Sequence, residues 1–389
     1  MVEIDPNTVG GRIKRYMKLR GMTQEQLAAE SEVSLSMIKK VTSGHATPGS
    51  FTIGKLALAL RVDAEVLSGK TVQEQTLEYI PILRRALAAI DLMDEDLEPE
   101  PVEKLATIVE QIGKWRRGAQ YRKISEVLPD VVDRLLVTGR EQGEPAYALL
   151  TDAYRAANSL AHKLGYSDLS MTATERMEWS AGLSGDPLRV ASVAYLKAAT
   201  LARIGAGKQA LRLLIRAMDE IEHLVGQSQE AAAVYSTLHM RAGTIAATLA
   251  DADASRSHLA EAARLATLFP EGIVHGTVVG ETNVKLYQMA AEIDLGNPEK
   301  AVEIARSTKL PRGFAKERQT YFWLDSARAH LHNGNTDAAM EALLESRAIA
   351  PEHFRASRVV NAAIETAADQ QARASDTLRS LANSAGVVL

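Results

Sequence analysis

Between Ser34 and His45 the chain gathers residues whose chemistry is hydrogen bonding to phosphates and base edges: Ser34, Leu35, Ser36, Lys39, Lys40, Ser43 and His45. Hydroxyls that donate and accept, two ammonium groups, an imidazole and one apolar side chain suit a DNA groove, where phosphates position a protein and base edges specify it. Catalytic spacing is missing. The nine histidines form no metal-binding or acid–base set, and His330 and His332, two apart on a helix, point in different directions. Gly205-Ala206-Gly207-Lys208 lacks the preceding strand and the spacing of a phosphate loop, so it reads as a turn between helices. No serine elbow or carboxylate pair stands out, and neither an enzyme nor a bound cofactor or metal is expected.

The elements that must hold these residues are legible nearby. Thr23 stands at an N-cap with Gln26 three residues later, a capping box that starts one helix with Leu27 and Ala28 turned inward. After a turn through Glu32 and Val33, Ser34 caps a second helix. Its spacing buries Ile38 and Val41 and leaves Leu35, Ser36, Lys39 and Lys40 outside. Two short helices joined by a tight turn make a helix-turn-helix. Gln24, at the start of the first helix, and Ser43 and His45, after the second, are placed for phosphates.

The series Thr23-Gln24, Leu27-Ala28, Val33-Ser34, Ile38 and Gly44 resembles the lambda-repressor-like, or Xre-type, family over Val9 to Leu67. The resemblance implies a five-helix domain, for which Val9–Arg20, Ser50–Leu60 and Asp63–Leu67 supply the remaining patterns. It also implies that Leu35, Ser36, Lys39 and Lys40 face the groove, with Leu35 able to touch a thymine methyl. Two positions depart from the family. Glu32 stands where the turn usually has glycine, which raises the cost of a left-handed backbone. Met17 and Thr42 replace a buried Arg–Glu pair together, so no single charge is stranded. Charge agrees with the assignment. From Met1 to Lys70 ten Lys and Arg face seven Asp and Glu, a balance of +3, and the whole-chain −4 leaves −7 for the remainder. Counterion release from phosphates needs local cations, not net charge.

Beyond Lys70 the chain is rich in Ala, Leu, Glu, Arg and Gln, with apolar residues at three- and four-residue spacing, so the whole reads as all-α. The expected division is a helix-turn-helix DNA-binding domain over 1–69, connecting helices over 70–144, and a helical-repeat sensor and dimerisation domain over 145–389. Thr71–Met93 reads as a connecting helix and Asp94–Glu103 as a proline-bearing turn. Lys114, Trp115, Arg116, Arg117, Tyr121, Arg122 and Lys123 read as a solvated helix face with one buried Trp, or else as an auxiliary phosphate contact. From Pro145, turns recur near Gly165, Gly205, Asp251, Gly296 and Gly334, at the period of a helical-pair solenoid. The unit around Trp323, Ala339, Leu343 and Pro351 resembles a tetratricopeptide repeat, with Ala327 where glycine is usual. Stacked pairs of this kind form a concave surface.

Ten residues before each turn lie Arg155, Tyr195, Arg241, Leu286 and Leu324, with Asn283 and Arg328 on the same faces. Arg155, Tyr195, Arg241, Asn283 and Arg328 are therefore the candidate ligand-binding residues, or alternatively ties between helices. The layout resembles that of the peptide-responsive quorum-sensing regulators of Gram-positive bacteria. It implies a transcription regulator that binds a double-stranded DNA operator as a homodimer, under control of a peptide or small-molecule effector. The alternative is a ligand-independent repressor or adaptor whose solenoid serves oligomerisation or recruitment. No cysteine is present, so disulfides and thiolate chemistry are excluded. No apolar run reaches membrane-spanning length and no secretory leader opens the chain, so no membrane partner and a cytoplasmic location are expected.

Overall fold

The computed structural model describes residues 8–69, 80–88, 90, 96–371 and 374–387. Its first five helices are α1 Val9–Arg20, α2 Gln24–Ser31, α3 Leu35–Thr42, α4 Ser50–Ala59 and α5 Ala64–Ser68. Local chemistry sets their bounds. The Thr8 hydroxyl accepts the Gly11 amide, the Thr23–Gln26 capping box is reciprocal, and the Ser34 hydroxyl accepts the Met37 amide. Each satisfies an amide that a helix start leaves unpaired. Glu32 does adopt the left-handed conformation, at φ 55°, and the Lys55 ammonium donates to its carbonyl at 2.5 Å. The head's core of Ile13, Leu27, Ile38, Val41, Ile53 and Leu56 is almost completely buried, and Met37 joins it.

The rest is a succession of paired helices with one interruption. Ile80–Ala88 (α6), Val102–Arg117 (α7) and Tyr121–Gln142 (α8) lead in; the rest of the helix expected over 71–93 lies outside the described residues. Five pairs follow: α9 Glu144–Lys163 with α10 Ser167–Leu183, α11 Pro187–Arg203 with α12 Gly207–Ile221, α13 Gln229–Thr248 with α14 Ala252–Ala266, α15 Glu281–Asp294 with α16 Pro298–Ser307, and α17 Lys316–His332 with α18 Thr336–Ile349. The short α19 Pro351–Ala356, then α20 Arg358–Gln370 and α21 Asp376–Ala385, close the chain. Every expected turn carries a left-handed residue: Gly165, Gly205, Ala250, Gly296 and Gly334 have φ between 61° and 88°. At each one the following amide reaches back five residues, as Ala206 does to the Leu201 carbonyl and Asn335 to that of His330. This is the Schellman end that closes helices cheaply when glycine is available. Among the described residues no helix is long and apolar enough to cross a membrane.

The described residues are all-α as expected apart from one short antiparallel hairpin, Gly272–Val274 (β1) with Thr277–Val279 (β2), in which Val274 stands opposite Thr277. Its turn residues His275 and Gly276 have φ 41° and 69°, as a two-residue primed turn requires. The basic and aromatic cluster is not the expected solvated face around one buried Trp. Arg116 and Tyr121 are its buried members, at 7% and 2% exposure, while Trp115 is half-buried. Long-range partners account for this: Arg116 donates to the Gly276 carbonyl at 2.5 Å, and the Tyr121 hydroxyl meets His353 Nδ1 at 2.7 Å.

The head is seated inside the curve of the solenoid. Arg12 pairs with Glu365 at 3.3 Å, and Glu65 with Arg358 at 3.0 Å. Lys55, only 5% exposed, donates to the Thr248 carbonyl at 2.6 Å. Gly54 of α4 lies so close to α11 that any side chain there would run into the Arg203 carbonyl. Thr47 is the joint's centre: its hydroxyl meets Thr366 at 3.0 Å, its amide donates to His332 Nε2 at 2.9 Å, and its carbonyl accepts Arg328 Nε at 3.3 Å.

That joint predicts acid sensitivity. Burial, reinforced by Arg328, pushes the His332 pKa down to about 3, and burial drives His162 and His353 well below the usual range. The unfolded chain protonates these imidazoles near pH 6.5, the folded protein only far lower. The histidines' contribution is therefore full above about 6.5 and falls as the pH drops from there towards 3, by roughly 1.4 kcal/mol per pH unit for each, opposed between about 4.5 and 7 by Glu365, whose carboxyl is raised by burial to about 7. Urea unfolding at stepped pH should show this slope. His332→Gln, which keeps an acceptor for Thr47, should lower the slope by about one proton's worth.

Candidate DNA interface and central cavity

The outward face of α3 stays open while the head is docked. Ser34, Ser36, Lys39, Ser43 and His45 are exposed, and Leu35, Lys40 and Gln24 are half-buried at its margin. Internal bonds orient several of them. Ser34 is held as the α3 cap, the Ser43 hydroxyl donates to the Lys39 carbonyl at 2.7 Å, and His45 Nδ1 lies 2.9 Å from that hydroxyl. Gln24 Nε2 donates to the Thr42 hydroxyl at 2.7 Å, bridging α2 and α3. Thr42 thus supplies a neutral partner at one of the two positions where the resemblance places ions. The surface combines two ammonium groups with short hydroxyl side chains on one helix, and a convex face of that kind enters a major groove.

The second site is a cavity of about 230 Å³ between the head and the concave wall. All five candidate ligand residues, Arg155, Tyr195, Arg241, Asn283 and Arg328, line it, as do Leu286 and Leu324 from the same row. Each comes from the first helix of its pair, which is why a fixed step back from each turn reaches one wall. Gly49, Ser50 and Phe51, at the start of α4, close it from the head side.

The five residues are not equivalent. Arg328 is fully engaged within the protein, 2.8 Å from both Asp294 and Asp325 and bonded to Thr47. Asn283 is 1% exposed, and its amide donates to the Val278 carbonyl at 2.6 Å, anchoring the hairpin; its Oδ1 is buried without a partner. Arg155 donates to the His275 carbonyl and the Thr277 hydroxyl, both at 2.7 Å, which holds the hairpin tip over the cavity. Tyr195 and Tyr287 join through their hydroxyls. Arg241 donates to Tyr287 at 3.2 Å and lies over the rings of Tyr195, Tyr287 and Phe51 at 4.5, 5.4 and 5.7 Å. Burial raises the Tyr287 phenol well above its usual range, with Arg241 working against it. Tyr287 therefore faces Arg241 as a neutral ring, the arrangement of a cation–π stack, whereas burial of Tyr195 is outweighed by Arg241 and Arg318, which pull its phenol below the usual range.

Sequence reasoning missed Arg203, Arg318, Tyr287, Tyr321 and Glu317, all of which line the same cavity. Arg203 lies eight residues after Tyr195 and Tyr287 four after Asn283, so a search along the helix face at four-residue steps would have reached both. Arg116 and Lys163, on α7 and α9, reach in to pair with Glu317 at 3.6 and 3.5 Å. No cluster of three or more metal-ligating side chains occurs among the described residues.

No curated protein matches the chain. Among solved structures, that of Bacillus thuringiensis PlcR in complex with the peptide PapR7 and DNA aligns over 67% of this chain and 95% of that one, at 16% identity and a TM-score of 0.29. The sequence comparison is specific where the α1–α5 head is built: residues 13–67 match the Helix-turn-helix family.

Proposed function

We propose that this protein is a DNA-binding transcription regulator whose operator affinity is set by a ligand in the central cavity. Residues 1–69 contact DNA through Gln24, Ser34, Leu35, Ser36, Lys39, Lys40, Ser43 and His45. Residues 70–144 connect, and 145–389 sense the ligand and dimerise. The observation that carries the reading is the composition of the cavity wall, where Phe51, Ser50 and Gly49 of the head face Arg155, Tyr195 and Arg241 of the solenoid. An occupant there touches both bodies. It therefore has a different affinity for the docked and undocked head, and that difference is the free energy available for control. A coupling of roughly 1–3 kcal/mol shifts operator affinity about 5- to 150-fold.

Selection of operator fragments by the full-length protein, repeated with extract of the native culture, tests this. Operator affinity should change with extract, and the extract should raise the melting temperature. A ligand-independent repressor would bind equally in both. The protein is also expected to bind as a homodimer, because one head covers too few base pairs for useful specificity and two recognition helices about 34 Å apart match successive major grooves. Light scattering that finds a monomer both free and on the operator contradicts this.

A further inference from the structure

The cavity wall carries more positive charge than the protein neutralises. Eight Lys and Arg side chains line it against three carboxylates, Asp294, Glu317 and Asp325. Those three are already taken, Glu317 by Lys163 and Arg116, Asp294 and Asp325 by Arg328. Among the described residues Arg155, Arg203, Arg241 and Arg318 pair with no carboxylate. Their contacts are neutral instead. Arg155 meets a carbonyl and a hydroxyl, Arg203 the Thr200 hydroxyl at 3.3 Å, Arg241 the Tyr287 hydroxyl, and Arg318 the rings of Tyr287 and Tyr321 at 5.2 and 5.1 Å. The Nε atoms of Arg155, Arg241 and Arg318 are buried with no partner at all.

Arg155 is buried and Arg203, Arg241 and Arg318 are half-buried, and guanidinium groups drawn out of water without counter-ions are costly unless something else completes them. The cost is visible in the wall: burial, helped by neighbouring arginines, pulls Arg155 down to about 9 and Arg203 to about 10. Both remain cationic at neutral pH. Arg155 is only 5% exposed, so bulk counter-ions do not screen it freely. Size narrows the occupant further. About 230 Å³ falls below the roughly 300–1,000 Å³ usual for drug-sized ligands, while an extended peptide grows by about 3.3 Å per residue.

Resting on the reading that this cavity is the ligand site, we infer that it takes a compact polyanion, a phosphorylated or polycarboxylate small molecule, held by Arg155, Arg203, Arg241 and Arg318. The planar fork of each guanidinium matches the paired oxygens of phosphate and carboxylate alike. Phe51, Tyr195 and Tyr287 keep the Arg241 fork in place before the anion arrives.

The test uses full-length protein with inorganic pyrophosphate and with citrate, at ionic strength held constant with chloride, and an uncharged, end-blocked pentaalanine as the control. One or both anions should raise the melting temperature saturably, and the tighter of the two identifies phosphate or carboxylate as the source. The control should not. Arg203→Met and Arg241→Met should each weaken anion binding at least tenfold; two sites in different helices keep the test valid if one variant folds poorly. Absence of saturable stabilisation by either anion, or equal stabilisation of wild type and both variants, overturns the assignment. The two readings fail separately. Extract that shifts operator affinity while neither anion binds leaves ligand control standing and removes the polyanion; anions that bind at these arginines without moving operator affinity do the reverse.

Discussion

Changing Ser36, Lys39 and Lys40 together to alanine is expected to abolish measurable operator binding while leaving the melting temperature of the protein nearly unchanged. Ser36 and Lys39 are exposed and Lys40 is half-buried. The helix that carries them is held from its other side by Met37, Ile38, Val41 and Thr42 and from its start by the Ser34 cap. Truncating them removes no core contact. Each base-reading side chain contributes roughly 1–3 kcal/mol of discrimination, so losing three in each half-site exceeds the usual margin between specific and non-specific binding. Lys40→Ala alone separates roles: loss at one base position marks base readout, whereas a uniform loss with a salt slope lower by about one marks phosphate contact. Unchanged affinity of the triple variant in filter binding or anisotropy would remove α3 as the recognition helix.

The second large effect is expected at Gly54. A leucine there cannot coexist with the Arg203 carbonyl, so α4 must move away from α11. The head keeps its own core, since Ile53, Leu56 and Ala57 point elsewhere, and removing a glycine from a helix raises intrinsic helix stability by roughly 0.5–1 kcal/mol. Gly54→Leu should therefore bind the operator but no longer respond to ligand, because Phe51 and Ser50 leave the cavity with α4. Operator titrations with and without culture extract measure it. A Gly54→Leu protein with the full wild-type response would show that docking against α11 is not the route of control.

Much of this was legible in short-range chemistry. The Thr23–Gln26 box, the Ser34 cap and the glycine turns are decided within five residues, so their spacing in the chain sufficed. The concave row was reachable because each first helix ends in the same turn, which fixes the position ten residues earlier. What escaped depends on distant partners. Arg116 reads as a surface cation until Gly276 and Glu317 come within reach, 160 and about 200 positions away. The hairpin at 272–279 is too short for an alternating pattern to stand out, though the pair His275-Gly276 flanked by β-branched Val274 and Thr277 was its signal. The seating of the head inside the solenoid rests on Thr47, Lys55 and Glu65, whose partners lie 102 to 319 positions away. No periodicity along the chain records that contact.

In the proposed mechanism one cavity occupant, touching head and solenoid together, sets operator affinity. Its most direct test is operator titration by fluorescence anisotropy, with and without native-culture extract, for wild type and for the Arg241→Ala/Asn283→Ala double variant. Arg241 stacks on Phe51 of the head and Asn283 anchors the hairpin over the cavity. Wild type should change its operator affinity about fivefold or more on adding extract; the double variant should bind the operator like unliganded wild type and show no change. A double variant that responds as wild type does, or a wild type that extract stabilises without any change in operator affinity, would contradict the account.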